Sequence, residues 1–143
     1  MRFGRKSQKA EALGEIPLFQ NLSKKDLTTL ASHVDEVEVD EGTELATQGK
    51  KGHQLSLLVE GSAKVVRNGR KLATLGPGDV IGEMSLIDRS EGTATVTTTE
   101  PSVVLVMHSR DFSQVLEESP AFARKIMAAL VQRLRDADKK LVG

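Results

Sequence analysis

The sequence contains no cysteine. Disulfides and thiolate chemistry are therefore excluded, and the absence fits a reducing compartment. Neither sign of charge is in excess: 20 basic residues balance 20 acidic ones. That removes the broad electrostatic case for a nucleic-acid binder, which is usually distinctly basic. No apolar run approaches the ~18 residues of a membrane span, and the N-terminus lacks the apolar core of a signal peptide. The expectation is a cytoplasmic protein with no membrane partner. His33, His53 and His108 show no metal-ligand spacing. Ser85 lies in no nucleophile-elbow pattern and has no histidine near it in sequence. Neither an enzyme nor a metal or cofactor site is expected.

At 143 residues the chain is one domain, large enough to bury roughly two-thirds of its unfolded surface. Arg2, Arg5, Lys6 and Lys9 make the first ten residues basic. Residues 1–14 read as a frayed, solvated tail in which Ala10 to Leu13 add one helical turn ended by Gly14. The domain is expected over 15–143. Ile16-Pro17-Leu18-Phe19 is a short apolar plug. Ser23 followed by Asp26 reads as an N-cap with a partial capping box, opening a helix from about Lys24 to His33.

From Val34 the apolar period changes from helical to two. Short alternating runs follow around Val37–Val39, Leu45–Gln48, Leu55–Val59, Ala63–Arg67, Lys71–Leu75, Thr93–Thr99 and Val103–Met107. Asn68-Gly69 is the strongest hairpin signal, because a type I′ turn needs positive φ at two successive residues. About eight strands with Gly-rich turns every eight to twelve residues predict a mainly β protein, a barrel or two-sheet jelly roll. Ser109 is expected to cap a helix bearing Phe112, Val115 and Leu116. Pro120 opens a longer one, to about Lys140. Along it Ala123, Met127, Leu130, Leu134, Ala137 and Leu141 follow a heptad rhythm, which predicts a homodimer seam.

The most informative stretch runs from Gly76 to Val96. Gly76-Pro77-Gly78-Asp79 is a turn, and Val80-Ile81 starts a short buried strand. Gly82 breaks it, and Glu83 to Ile87 loses alternation, predicting a helical turn or two. A helix start directly after a strand presents unpaired backbone N–H groups, which suit a phosphate. Thr93-Ala94-Thr95-Val96 then resumes alternation.

Ile81-Gly82-Glu83-Met84-Ser85-Leu86 followed by Thr93-Ala94-Thr95-Val96 resembles the phosphate-binding cassette of cyclic nucleotide-binding domains. The family includes the catabolite activator protein and the regulatory subunits of protein kinase A. The resemblance covers nearly the whole chain and implies a flattened, double-stranded β-helix jelly roll flanked by helices. It implies cyclic AMP or cyclic GMP as ligand, with backbone N–H groups on the cyclic phosphate and Glu83 accepting from the ribose 2′-hydroxyl. Ligand-binding residues are expected at Ile81, Gly82, Glu83, Met84 and Ser85, and at Gly92, Thr93 and Ala94. In the family an arginine nine or ten residues after the glutamate pairs with the phosphate. Here Gly92 stands nine residues after Glu83. Arg89, the nearest cation in sequence, is the ninth expected ligand-binding residue, in place of that arginine. A charge-assisted pair contributes about 1.5–3 kcal/mol, so binding is expected to be roughly ten- to more than a hundredfold weaker unless another group neutralises the phosphate, and Gly92→Arg to strengthen it if the pocket otherwise keeps its shape.

Two functional readings stay open. One is a regulatory module sensing a cyclic nucleotide, with the terminal helices as its moving element. The other is a degenerate module that binds no nucleotide and serves dimerisation or protein interaction. The family's transcription factors carry a helix-turn-helix after the long helix, and the sequence ends at Gly143, so no nucleic-acid partner is expected.

Overall fold

The computed structural model describes residues 5–142, and side chains as far as Lys140. Arg2 of the basic segment and the side chain of Leu141 fall outside the described residues. The β strands are β1 Val34–Val39, β2 Glu44–Ala46, β3 Gln54–Glu60, β4 Ala63–Arg67, β5 Arg70–Leu75, β6 Val80–Ile81, β7 Thr95–Thr98 and β8 Ser102–His108. They form two four-stranded sheets, ordered β1-β8-β3-β6 and β2-β7-β4-β5, with every strand pair antiparallel. Helices α1 Lys6–Gly14, α2 Lys24–Ala31, α3 Ser85–Asp88, α4 Ser109–Glu118 and α5 Pro120–Val142 flank them, as the two-sheet expectation with terminal helices requires.

The first sheet is covered on both faces. In β8, Leu105 and Met107 point into a helix-side core with Leu55, Leu57, Phe112 and Phe122, while Val104 and Val106 pack between the sheets with Leu58. A strand buried on both sides reads as a continuous apolar run, and Val103 to Met107 is one. Phe19, Phe112 and Phe122 stack in series, with ring centroids 6.0 Å apart in each pair. The second sheet keeps a solvent face, and β5 is exposed along most of its length.

Local signals explain most boundaries. Ser23 Oγ accepts from the Asp26 N–H at 3.1 Å and Asp26 Oδ2 accepts from the Ser23 N–H at 3.0 Å, a complete capping box. Burial raises the Asp26 carboxyl, but hydrogen bonds from the Lys125 ammonium and from Ser23 outweigh it and hold the group below the usual carboxylate range. The Lys125 contact, at 2.7 Å, ties α2 to α5. Asn68 (φ 51°) and Gly69 (φ 78°) form the two-residue turn between Arg67 and Arg70.

Two expectations need correction. Residues 6–14 are a helix rather than a solvated tail, because Ala10 and Leu13 are buried in the helix-side core. Ser109 is the first residue of α4 and not its cap: its N–H donates to the His53 carbonyl at 2.8 Å. The expected Gly76–Asp79 turn is present: Gly78 has positive φ, and the Gly76 N–H is held by Asp79 Oδ2 at 2.8 Å.

Candidate functional site

Gly82 sets the geometry of the site. Its φ is +80°, and a Cβ added there would lie 2.5 Å from the Gln54 carbonyl oxygen of neighbouring β3. Only glycine satisfies both conditions. The chain therefore leaves β6 sharply, and the Gly82 carbonyl accepts from the Leu86 N–H at 3.1 Å to start α3. The expected short helix is present, beginning at Ser85 after a turn at Glu83 and Met84. Leu86 anchors it, fully buried in the helix-side core.

Glu83 is held from above. Arg133 of α5 donates from Nη2 to Glu83 Oε1 at 2.6 Å and from Nη1 to the Met84 sulfur at 3.2 Å. The Glu83 side chain is 16% exposed. Its other oxygen, Oε2, is buried and has no hydrogen-bond partner among the described residues. Leaving a buried acceptor unmatched costs about 1–3 kcal/mol, so the carboxylate is poised for a donor.

Sequence reasoning missed Arg133, yet a signal was there. Phe122, Ile126 and Ala129 are the buried face of α5, and Arg133 continues it in steps of four, three and four. The stripe read as a seam is displaced from it by one residue. Of that stripe Met127 (56% exposed) and Leu134 (70%), with the adjacent Val131 (47%), face away from the protein's own core, whereas Leu130 packs against it.

A cavity of about 700 Å³ lies in front of the cassette, within the range of small-molecule sites. Ile81, Gly82, Glu83, Met84, Ser85, Gly92, Thr93 and Ala94 all line it, but Arg89 does not. Arg89 sits in the left-handed region (φ 53°) as the C-cap of α3, with its side chain exposed. Asp88 beside it is held below the usual carboxylate range by hydrogen bonds from Ser90. The basic residues that line the cavity are instead Lys50, Lys51, His53 and Arg67. No cluster of potential metal ligands occurs among the described residues.

Position 92 is closed to a side chain. The Gly92 N–H donates to the Lys50 carbonyl at 2.8 Å, and its carbonyl accepts from the Gly49 N–H at 2.9 Å. A Cβ at Gly92 would meet the Thr47 carbonyl oxygen at 2.8 Å. These bonds place residues 90–92 along the 48–52 loop, so β7 begins at Thr95 instead of Thr93. The expectation that Gly92→Arg would enter an unchanged pocket fails on this clash.

The profile of the family described as cyclic nucleotide-binding domain matches residues 36–119, which include the whole cassette. The chain belongs to the cyclic nucleotide-binding domain family. It is 32% identical over 130 residues to the cyclic AMP receptor protein of Thermus thermophilus, covering 87% of this chain and 60% of that protein. It is also 32% identical over 126 residues to the Pycsar effector protein PaPycTIR of Pseudomonas aeruginosa, covering 85% of this chain and 41% of that one. The chain thus spans about half the length of these relatives. In three dimensions it resembles the N-terminal domain of a transcriptional regulator from Streptomyces coelicolor. That match has a TM-score of 0.80 at 32% identity and covers 90% of this chain and 95% of that one. The jelly roll read from strand periodicity is the fold of this family. With a transcriptional regulator among the similar proteins, the expectation of no nucleic-acid partner extends no further than these 143 residues. No described helix is long and apolar enough to cross a membrane.

Proposed function

We propose that this domain senses a cyclic nucleoside monophosphate and reports its occupancy through α5, in a regulatory and non-catalytic role. The observation that carries the reading is the Glu83 carboxylate. Arg133 engages Oε1 and leaves Oε2 buried without a donor beside the cavity. A ribose 2′-hydroxyl is a donor of the right kind, and the family's use of this glutamate supports it. Arg133 also offsets the negative charge of Glu83, which otherwise repels a phosphate in the same cavity. The backbone around Gly82 and α3 would take the phosphate. Because the same Arg133 is part of α5, a ligand that alters Glu83 alters the seating of the helix. Calorimetric titration with cyclic AMP and cyclic GMP tests the reading: saturable one-site binding supports it, and no binding of either removes it. A cytoplasmic location goes with this reading.

A second reading, a dimerisation or interaction module that needs no nucleotide, draws on the outward stripe of α5. Met127, Val131 and Leu134 are exposed, and two such helices cover one another in a coiled-coil seam. A homodimer is compatible with nucleotide sensing, so the two readings part only at the titration. Sedimentation is expected to show a dimer that Leu134→Glu converts to monomer. A monomeric parent at high micromolar concentration removes the dimer from both readings.

A further inference from the structure

We infer that Arg67, at the end of β4, supplies the cationic contact to the ligand's phosphate that position 92 lacks. The inference rests on the cyclic-nucleotide reading and assigns one residue within it. Position 92 carries no side chain and both its backbone groups are committed to the 49–50 loop, so the charge has to come from elsewhere on the cavity wall. Arg89 is not on that wall.

Arg67 is on the wall, exposed, and its guanidinium is held. Its Nε donates to the Thr93 carbonyl at 2.9 Å, which fixes the guanidinium beside the residue that follows Gly92. The backbone beneath it is held as well. Val66 pairs with Thr95 across β4 and β7. Asn68 is clasped by Gln48, whose side chain donates to Asn68 Oδ1 at 2.7 Å and accepts from the Asn68 N–H at 3.0 Å. Gln48 is itself bridged to Gly92. Arg67 and Gly92 thus meet through two sets of contacts, although 25 positions separate them in the chain.

With Nε engaged, both Nη groups remain, and no carboxylate pairs with Arg67 among the described residues. A planar fork with two parallel donors matches the oxygens of a phosphodiester monoanion. An arginine near a hairpin is ordinarily a solvated one. Arg67 differs in that its inner nitrogen is bonded to a cassette carbonyl. Lys50 and Lys51, on the loop that packs against Gly92, are the rival cations.

The test is calorimetric titration of the parent, Arg67→Gln, Arg67→Lys and Lys50→Gln/Lys51→Gln with cyclic AMP, cyclic GMP and adenosine, which lacks the phosphate. Circular dichroism and thermal unfolding establish that each variant is folded. Arg67→Gln should weaken cyclic-nucleotide binding about ten- to a hundredfold and leave adenosine unaffected. Arg67→Lys should fall between it and the parent, and the double lysine variant should lose clearly less affinity than Arg67→Gln. Should Arg67→Gln not fold, the intermediate affinity of Arg67→Lys and a fall in parent affinity with added salt carry the same prediction. Parent-like binding by Arg67→Gln overturns the inference, as does a loss confined to the lysine variant. A parent that binds adenosine and cyclic nucleotides equally overturns it while leaving a nucleoside site. A parent that binds none of the three removes the functional reading, and this inference with it.

Discussion

Two glycines ten positions apart, Gly82 and Gly92, divide the cassette into halves built on opposite principles. At Gly82 the glycine opens the site. Positive φ and the close approach of the Gln54 carbonyl turn the chain out of β6, and the backbone that follows faces the cavity. At Gly92 the glycine closes the site. Its φ is unremarkable, its N–H and carbonyl are bonded to the 49–50 loop, and the Thr47 carbonyl occupies the space a side chain needs. The first half is also tied to α5 through Arg133, whereas the second is tied to the loop between β2 and β3. In the proposed reading, sensing and signalling therefore concentrate in the first half. The second half lines the cavity without contributing a side-chain charge at position 92.

The largest effect that separates the halves is expected at Gly82. Gly82→Ala forces a side chain into positive φ and against a backbone carbonyl. It should destabilise the domain by about 2–4 kcal/mol, read from the midpoint of denaturant unfolding. Parent-like stability would mean that the turn out of β6 is not fixed as described. Gly92→Ala should cost less, about 1–2 kcal/mol, because its φ is open to any residue and only the Thr47 contact must relax. Gly92→Arg, folded, should gain no cyclic-nucleotide affinity over the parent. A gain of tenfold or more would show that the 48–52 loop yields and that the two halves are less distinct.

The smallest effect concerns the other ion pair that seats α5. The folded-state carboxyl of Asp26 lies below its ordinary value of 3.8. Its bond to Lys125 therefore contributes fully above that pH and is lost as pH falls through the lowered folded value. Both side chains are partly exposed, so the contribution is under about 1 kcal/mol. Asp26→Asn should slightly flatten the loss of stability as pH falls below 3.8 and leave nucleotide affinity at neutral pH unchanged. A large loss of affinity in Asp26→Asn would show that α5 is signalling through its first turns and not through Arg133.

The sequence was most legible where local chemistry decides structure. The Ser23–Asp26 capping box, the Asn68-Gly69 turn and the strand broken at Gly82 are each fixed by residues within a few positions of one another. Eight of the nine expected ligand-binding residues line one cavity, since they come from two nearby segments of a recognisable motif. Contacts across long separations were not legible. Arg133 lies 50 positions from Glu83, and Lys125 lies 99 from Asp26. Helical spacing does put Arg133 at the end of the inward stripe of α5, but nothing local announces that it pairs with the cassette. Arg89 was placed in the site by its nearness in sequence, but the left-handed cap at the end of α3 turns it away from the cavity. The first helix was hidden for another reason. Its cationic residues read as solvated, and only the packing of Ala10 and Leu13 shows the buried side.

The central claim is that Glu83, steadied by Arg133, offers its second oxygen to a ribose hydroxyl. The most direct measurement is a calorimetric comparison of cyclic AMP with 2′-deoxy cyclic AMP, in the parent and in Glu83→Ala. The account predicts that the parent prefers the ribonucleotide by about tenfold, the value of one hydrogen bond to a charged acceptor, and that Glu83→Ala binds both equally and more weakly. Equal affinity of the parent for the two nucleotides, or a preference that survives in Glu83→Ala, would contradict it.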